Sequence, residues 1–201
     1  MDELISKTLS HLFISLGGVS ISAVVGITLG VLLTRISFLS AFVIGFSEIL
    51  QTVPSLAMLA ILMMFFGLGN PTAMMAIFLY SLLPVVRNTY TAMRGVDSSL
   101  LEAGKGMGMS RWQLLFLVEI PNAFPVILSG IRVSLITAYG IVTIAVLVGG
   151  GGLGGYIYRG TQTVNIGMIL KGAIPICLMA VGTDFLLNKV EKKTSIEKRG
   201  K

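Results

Sequence analysis

From Ile49 to Val86 the chain carries no charged residue at all. An ionised side chain is costly in hydrocarbon, and a helix crosses the bilayer core with about 20 predominantly apolar residues. This run is therefore membrane-embedded and far too long for one crossing. Gly67-Leu68-Gly69-Asn70-Pro71 concentrates turn-forming residues in its middle and marks a turn between two crossings. Apolar stretches on either side extend the pattern, and 54% hydrophobic content with a mean hydropathy of +0.90 excludes an ordinary soluble domain. Only helices and closed barrels satisfy their own backbone in lipid. The expectation is an all-α membrane protein of about five helices, with spans at 12–34, 42–66, 72–90, 124–148 and 166–187. These fill a transmembrane domain of 1–188, followed by a polar tail at 189–201 that is expected to fray. Met1-Asp2-Glu3 is acidic where a secretion leader is basic, so no cleavable leader is expected.

The net charge of +6 is not spread as a nucleic-acid surface would require. Lys189, Lys192, Lys193, Lys198, Arg199 and Lys201 lie in the tail, and Arg87, Arg94, Lys105 and Arg111 lie in or near the central polar segment. Such residues mark the cytoplasmic flanks of membrane helices. Five spans and a cytoplasmic tail then put the central segment in the cytoplasm and the N-terminus outside. No nucleic-acid partner is needed. Cys177 and His11 are each alone, so neither a disulfide within the chain nor a usual zinc site is expected.

Within the spans a few residues stand out. Gly26 and Gly30 form a GxxxG, expected to seat another helix of the same subunit closely. Gln51, Thr52, Pro54 and Ser55 put polar groups and a kink at membrane depth, where such groups face a bundle interior or a solute path. Pro54 frees a carbonyl near residue 50. Arg35, Glu48, Arg87, Arg132 and Asp184 fall in the inner part of the membrane, with Glu48 expected to pair with Arg87 or Arg132. Gly149, Gly150, Gly151 and Gly152 are followed by Tyr156 and no Lys-Ser/Thr, so they are no phosphate loop; they read as a flexible turn at the outer mouth, able to gate.

The long polar interruption is Asp97–Pro121. Ser99-Leu100-Leu101-Glu102 and Ser110-Arg111-Trp112-Gln113 each fit a capping box, in which a Ser side chain and an acid or amide three residues on satisfy each other's backbone. Gly104, Gly106 and Gly108 supply turning points, and Pro121 is expected to close the second helix. From these features alone a docking knob and a plain solvated connector are equally good readings.

Glu102-Ala103-Gly104, three residues, Gly108, nine residues and Val118-Glu119-Ile120-Pro121 resemble the cytoplasmic coupling loop of binding-protein-dependent ABC importer permeases. Gly104 departs from that family's Ala, Val118 from Ile and Ile120 from Leu. Gly104 is expected to loosen its helix by about 1 kcal/mol relative to Ala. The resemblance implies a compact type I permease bundle in a bacterial cell membrane. It further implies a second permease subunit (a copy or a paralogue), ABC ATPase subunits and an extracellular substrate-binding protein. ATP and Mg belong to the ATPase, and no cofactor is expected on this chain. Leu101, Glu102, Ala103, Gly104, Gly108 and Pro121 would form the coupling loop, with Glu102 capping the docked helix and Gly108 turning it. Leu100, Leu101, Met107 and Met109 would supply packing contacts. The run Gln51-Thr52-Val53-Pro54-Ser55-Leu56-Ala57 resembles the permeases for glycine betaine, choline and carnitine. A permease for methionine or another amino acid is the alternative within the class. A stand-alone secondary transporter is the alternative outside it, although no inverted repeat is evident. An intramembrane enzyme would need a nucleophile with its base or a metal cluster, and with His11 read as lying outside and Cys177 isolated, no catalytic residue is assigned.

Overall fold

The computed structural model describes residues 2–199, with the side chains of residues 37 and 195–199 outside the description. Every regular element among them is helical: α1 (Asp2–Arg35), α2 (Ser37–Thr52), α3 (Ser55–Phe66), α4 (Asn70–Arg94), α5 (Ser98–Gly106), α6 (Arg111–Gln113), a π-helical segment (Leu114–Glu119), α7 (Ile120–Ile144), a 3-10 turn (Ala145–Val148), α8 (Gly154–Gln162) and α9 (Ile166–Arg199).

The bundle is built around α4, with α1 along one side and α7 along another. Small residues on α1 make this approach feasible. A Cβ added at Gly18 would lie 2.6 Å from Ile77, one at Gly26 2.8 Å from Val85, and one at Gly30 2.5 Å from Thr89. The expected pairing of the glycine stripe with a helix of the same chain is what forms. On α7, Gly130 performs the same service against Asn88 and the Pro84 carbonyl, and Ser134 donates to the Ser81 carbonyl at 3.2 Å. The main core gathers Leu59, Ala73, Ala76, Ile77, Ala138, Val142 and Ala145, all with no exposed surface.

The five expected spans resolve into three long apolar helices, a bent pair and the enclosed α4. Asp2–Arg35, Arg111–Val148 and Ile166–Thr194 are long and apolar enough to cross a membrane, and α2 with α3 makes a fourth crossing if the bent pair is one span. The expected single helix at 42–66 is two helices meeting at 102°, because Pro54 cannot donate to the Leu50 carbonyl and the chain turns extended at Val53. α4 buries Thr72, Ser81 and Thr89. A helix packed against other helices does not need the hydropathy that lipid demands.

Three further expectations are corrected. Pro121 stops nothing, since it lies in the first turn of α7 and the helical path runs from Arg111 to Val148. The preceding π-turn absorbs the proline, because its wider ring shifts the hydrogen-bond register where an amide is missing. The tail does not fray at 189, since α9 continues through Arg199; the side chains of Lys198 and Arg199, and all of Lys201, lie outside the described residues. α8, a short helix packed on α9, occupies sequence that lay between the expected spans.

Glu48 pairs with Arg87 at 3.1 Å, one of its two expected partners. Arg132 instead sits 3.7 Å from Asp184 and 3.8 Å from Glu191 on α9. Close approach at Gly30 predicts that Gly30→Ala lowers the melting temperature of the detergent-purified protein, by the roughly 1–3 kcal/mol that overpacking costs. Gly45→Ala, whose Cβ meets nothing within 4 Å, is expected to leave it unchanged or raise it.

Candidate functional site

Three constructions distinguish the bundle: the 97–121 segment at one end, a cavity at the α2–α3 break, and a glycine corner at the other end. α7, at 25 residues or about 37 Å, separates the first from the third.

The first helix of the 97–121 segment begins two residues earlier than expected. Asp97, not Ser99, is its N-cap, accepting the Ser99 amide at 2.9 Å. A carboxylate at a helix start also gains from the macrodipole, and that amide holds the Asp97 carboxyl below its usual range. The Asp97 cap is therefore complete above the ordinary carboxylate range and weakens as pH falls through the lowered value. Glu102 lies past the first turn and is exposed with Ala103, so it caps nothing, while Leu101 is half-buried. The helix ends in a Schellman turn: the Met109 amide reaches the Gly104 carbonyl at 3.0 Å and the Gly108 amide the Lys105 carbonyl at 2.9 Å. Gly108 takes φ +79°, a conformation that costs a side-chain-bearing residue about 1–2 kcal/mol.

Gly104 is buried, and a Cβ there would lie 2.6 Å from Leu114 and 3.2 Å from Met109. Its departure from the family's Ala is matched by Leu114 filling the methyl's place, so it seats α5 on the π-segment. Met109, expected as a docking contact, is turned inward against Gly104. Leu100 and Met107 remain exposed, and Trp112 stacks on Phe116 at 6.1 Å with both rings exposed.

The second capping box is present as expected, with the Gln113 amide on Ser110 Oγ at 3.3 Å and the Ser110 amide on Gln113 Oε1 at 2.7 Å. Behind it, Asn122 Nδ2 donates to the Val118 carbonyl at 2.8 Å. Glu119, 8% exposed, accepts from Arg35 at 2.6 Å and ties the segment to the end of α1. This anchor joins residues 84 positions apart, so nothing in the local pattern around Glu119 could have revealed it.

At the α2–α3 break two prolines are cross-stitched. Pro84 cannot donate to the Tyr80 carbonyl, and Gln51 Nε2 donates to it at 2.9 Å instead. The Tyr80 hydroxyl returns the bond to the Val53 carbonyl. Around this stitch opens a cavity of about 510 Å³ whose walls bring together Gln51, Thr52, Pro54 and Ser55. Tyr80 of α4 and Thr137, Gly140, Ile141 and Ile144 of α7 complete it. Local spacing on α2 carries no information about these later residues.

The corner at Gly149–Gly152 is held rather than loose. Gly149 and Gly152 take φ +76° and +96°. The Gly151 amide donates to Asn70 Oδ1 at 2.7 Å, and the Gly69 amide to the Val148 carbonyl at 2.8 Å. His11, read as lying outside the spans, is fully buried, between the Tyr139 carbonyl at 3.1 Å and the Leu153 amide at 3.3 Å. A carbonyl only accepts and an amide only donates, so the ring carries its proton on Nε2 and accepts at Nδ1.

Gly108 offers a direct test. Its Cβ would meet nothing within 4 Å, so a substitution acts through the backbone alone. Gly108→Asn, tolerant of left-handed φ, is expected to keep most transport in reconstituted vesicles, and Gly108→Val to lose it while inserting normally.

The chain matches the family described as binding-protein-dependent transport system inner membrane component over residues 22–196. It is 46% identical over 189 residues to the carnitine transport permease protein OpuCB of Listeria monocytogenes, covering 94% of this chain and 87% of that one. It is 46% identical over 193 residues to the glycine betaine/carnitine/choline transport system permease protein OpuCB of Bacillus subtilis, covering 96% and 89%. Among solved structures it superposes on a chain of the inward-facing MetNI methionine ABC transporter with a TM-score of 0.86, at 20% identity and covering 96% of this chain and 97% of that one. With the all-helical bundle, these matches make the chain a member of the binding-protein-dependent transport system inner membrane component family, a permease subunit of an ABC importer.

Proposed function

We propose that this permease conducts quaternary ammonium osmolytes, of the glycine betaine, carnitine and choline kind, from a substrate-binding protein to the cytoplasm. The observation that carries the substrate is the 46% identity, over nearly the whole chain, to permeases named for those solutes. The methionine transporter shares the fold at 20% identity, which supports the amino-acid alternative only at the level of the class. An ABC ATPase, which holds the ATP and Mg, docks on the 97–121 segment, with Leu100, Leu101, Met107 and the Gly108 turn in its groove. A second permease subunit completes the path. Lys105, Arg111, Arg94 and the α9 residues Lys189, Lys192 and Lys193 support a cytoplasmic location for this end and for the C-terminus, and an external N-terminus. The Gly149–Gly152 corner is then the outer gate, closed here by Asn70 and His11.

The physical mechanism is a two-state bundle biased by its docked partner. Closure of the ATPase pair moves α5. Leu114 against Gly104 passes that motion to the π-segment and α7, and Glu119 with Arg35 passes it to α1.

Mild-detergent purification of the tagged chain is expected to bring down an ATPase subunit, lost with Gly108→Val. Vesicles holding the complex and its binding protein are expected to take up labelled glycine betaine or choline on addition of ATP, and not methionine. ATP-driven methionine uptake would favour the amino-acid alternative, and ATP-independent uptake by the chain alone would overturn the importer.

A further inference from the structure

The cavity at the α2–α3 break is walled by hydroxyl oxygens and apolar side chains, with Ser55 and the Gln51 amide as its side-chain donors. Thr52 donates its hydroxyl proton to the Ile49 carbonyl at 2.7 Å, Thr137 to the Val133 carbonyl at 3.0 Å, and Tyr80 to the Val53 carbonyl. All three protons are committed to the backbone, so these hydroxyls offer a solute only their lone pairs. The Leu50 carbonyl, which Pro54 cannot satisfy, lies at the same break, where α2 ends and its dipole is negative. Among the described residues no carboxylate, ammonium or guanidinium lines the cavity, and Ile141 and Ile144 add apolar surface. An anion finds donors only at Ser55, the Gln51 amide and the first turn of α3, with no cationic side chain to offset its charge. A methylated cationic head meets oxygens for its charge and polarised C–H groups, and apolar wall for its methyls.

We propose that this cavity is a selectivity station within the permease itself, taking the positively charged head of the passing solute against backbone-anchored oxygens. The proposal rests on the importer reading above and adds to it a second point of discrimination beyond the binding protein. Thr137 and Gly140 are the specificity-determining residues on α7. Thr137 bonds only within its own helix, and a Cβ at Gly140 meets nothing within 4 Å, so both positions can be changed without dismantling a contact between helices.

The test compares ATP-driven uptake of labelled choline, a cation, with that of glycine betaine, a zwitterion, in vesicles containing the complete importer and an unaltered binding protein. Thr137→Asp is expected to raise the choline-to-glycine betaine ratio about fivefold, and Thr137→Lys to lower it by a similar factor, the effect of one unit charge at a watery wall. Gly140→Leu, which fills the cavity, is expected to slow uptake of both solutes roughly tenfold while binding-protein-stimulated ATP hydrolysis persists. Opposite shifts from Asp and Lys at one position are a signature that a purely structural role does not produce. Unchanged ratios in both variants, with uptake intact, would overturn the station and leave the importer standing. Undiminished uptake with Gly140→Leu would place the solute path elsewhere and overturn it too. Absence of ATP-driven uptake of either solute by the unmodified importer would bring down the reading beneath it.

Discussion

The close approach of α1 to α4 is the constraint on which the rest of the bundle depends. With glycine at 18, 26 and 30 the two helices touch backbone to side chain, and α4 is drawn into the centre. Only there can a helix with buried Thr72, Ser81 and Thr89 be accommodated beside lipid-facing neighbours. With α4 central, Tyr80 reaches the α2–α3 break and Pro84 finds its substitute donor in Gln51. The cavity and the corner at Asn70 are consequences of where α4 sits.

Much of this was legible in the chain. Absence of charge from Ile49 to Val86 announced membrane helices, and the glycines from 67 to 69 announced their turn. Gly26 and Gly30 announced a close contact within the subunit, and Ser110 with Gln113 announced a cap. These signals are local, and local chemistry decides them. What was not legible depended on distance or competition. Asp97 outcompeted Ser99 as a cap because a charged acceptor two residues earlier gains from the helix dipole. Pro121 was read as a stop because a π-turn leaves no mark in a residue pattern. The burial of His11 was not legible near the N-terminus, since the corner that encloses it comes from residues 139 and 153.

The candidate site divides along the same line. Gln51, Thr52, Pro54 and Ser55 were found on their polarity at membrane depth, and they do share one wall. Their opposite wall was invisible, since Gly140 and Ile141 look like any lipid-span residues until α7 is placed against α4. In the 97–121 segment the motif was legible as a pattern, but the contacts that hold the segment to the bundle were not. Leu114 fills the place of a missing methyl, and Arg35 reaches Glu119 from another helix.

Trp112 is the chain's one tryptophan, and it stands 70% exposed on the same segment, stacked on Phe116. Indole emission shifts with the polarity around the ring, so the tryptophan fluorescence of the uncomplexed permease originates at a single spot. That spot lies beside the turn at Gly108. The molecule therefore carries its own optical reporter of whatever comes to cover this end.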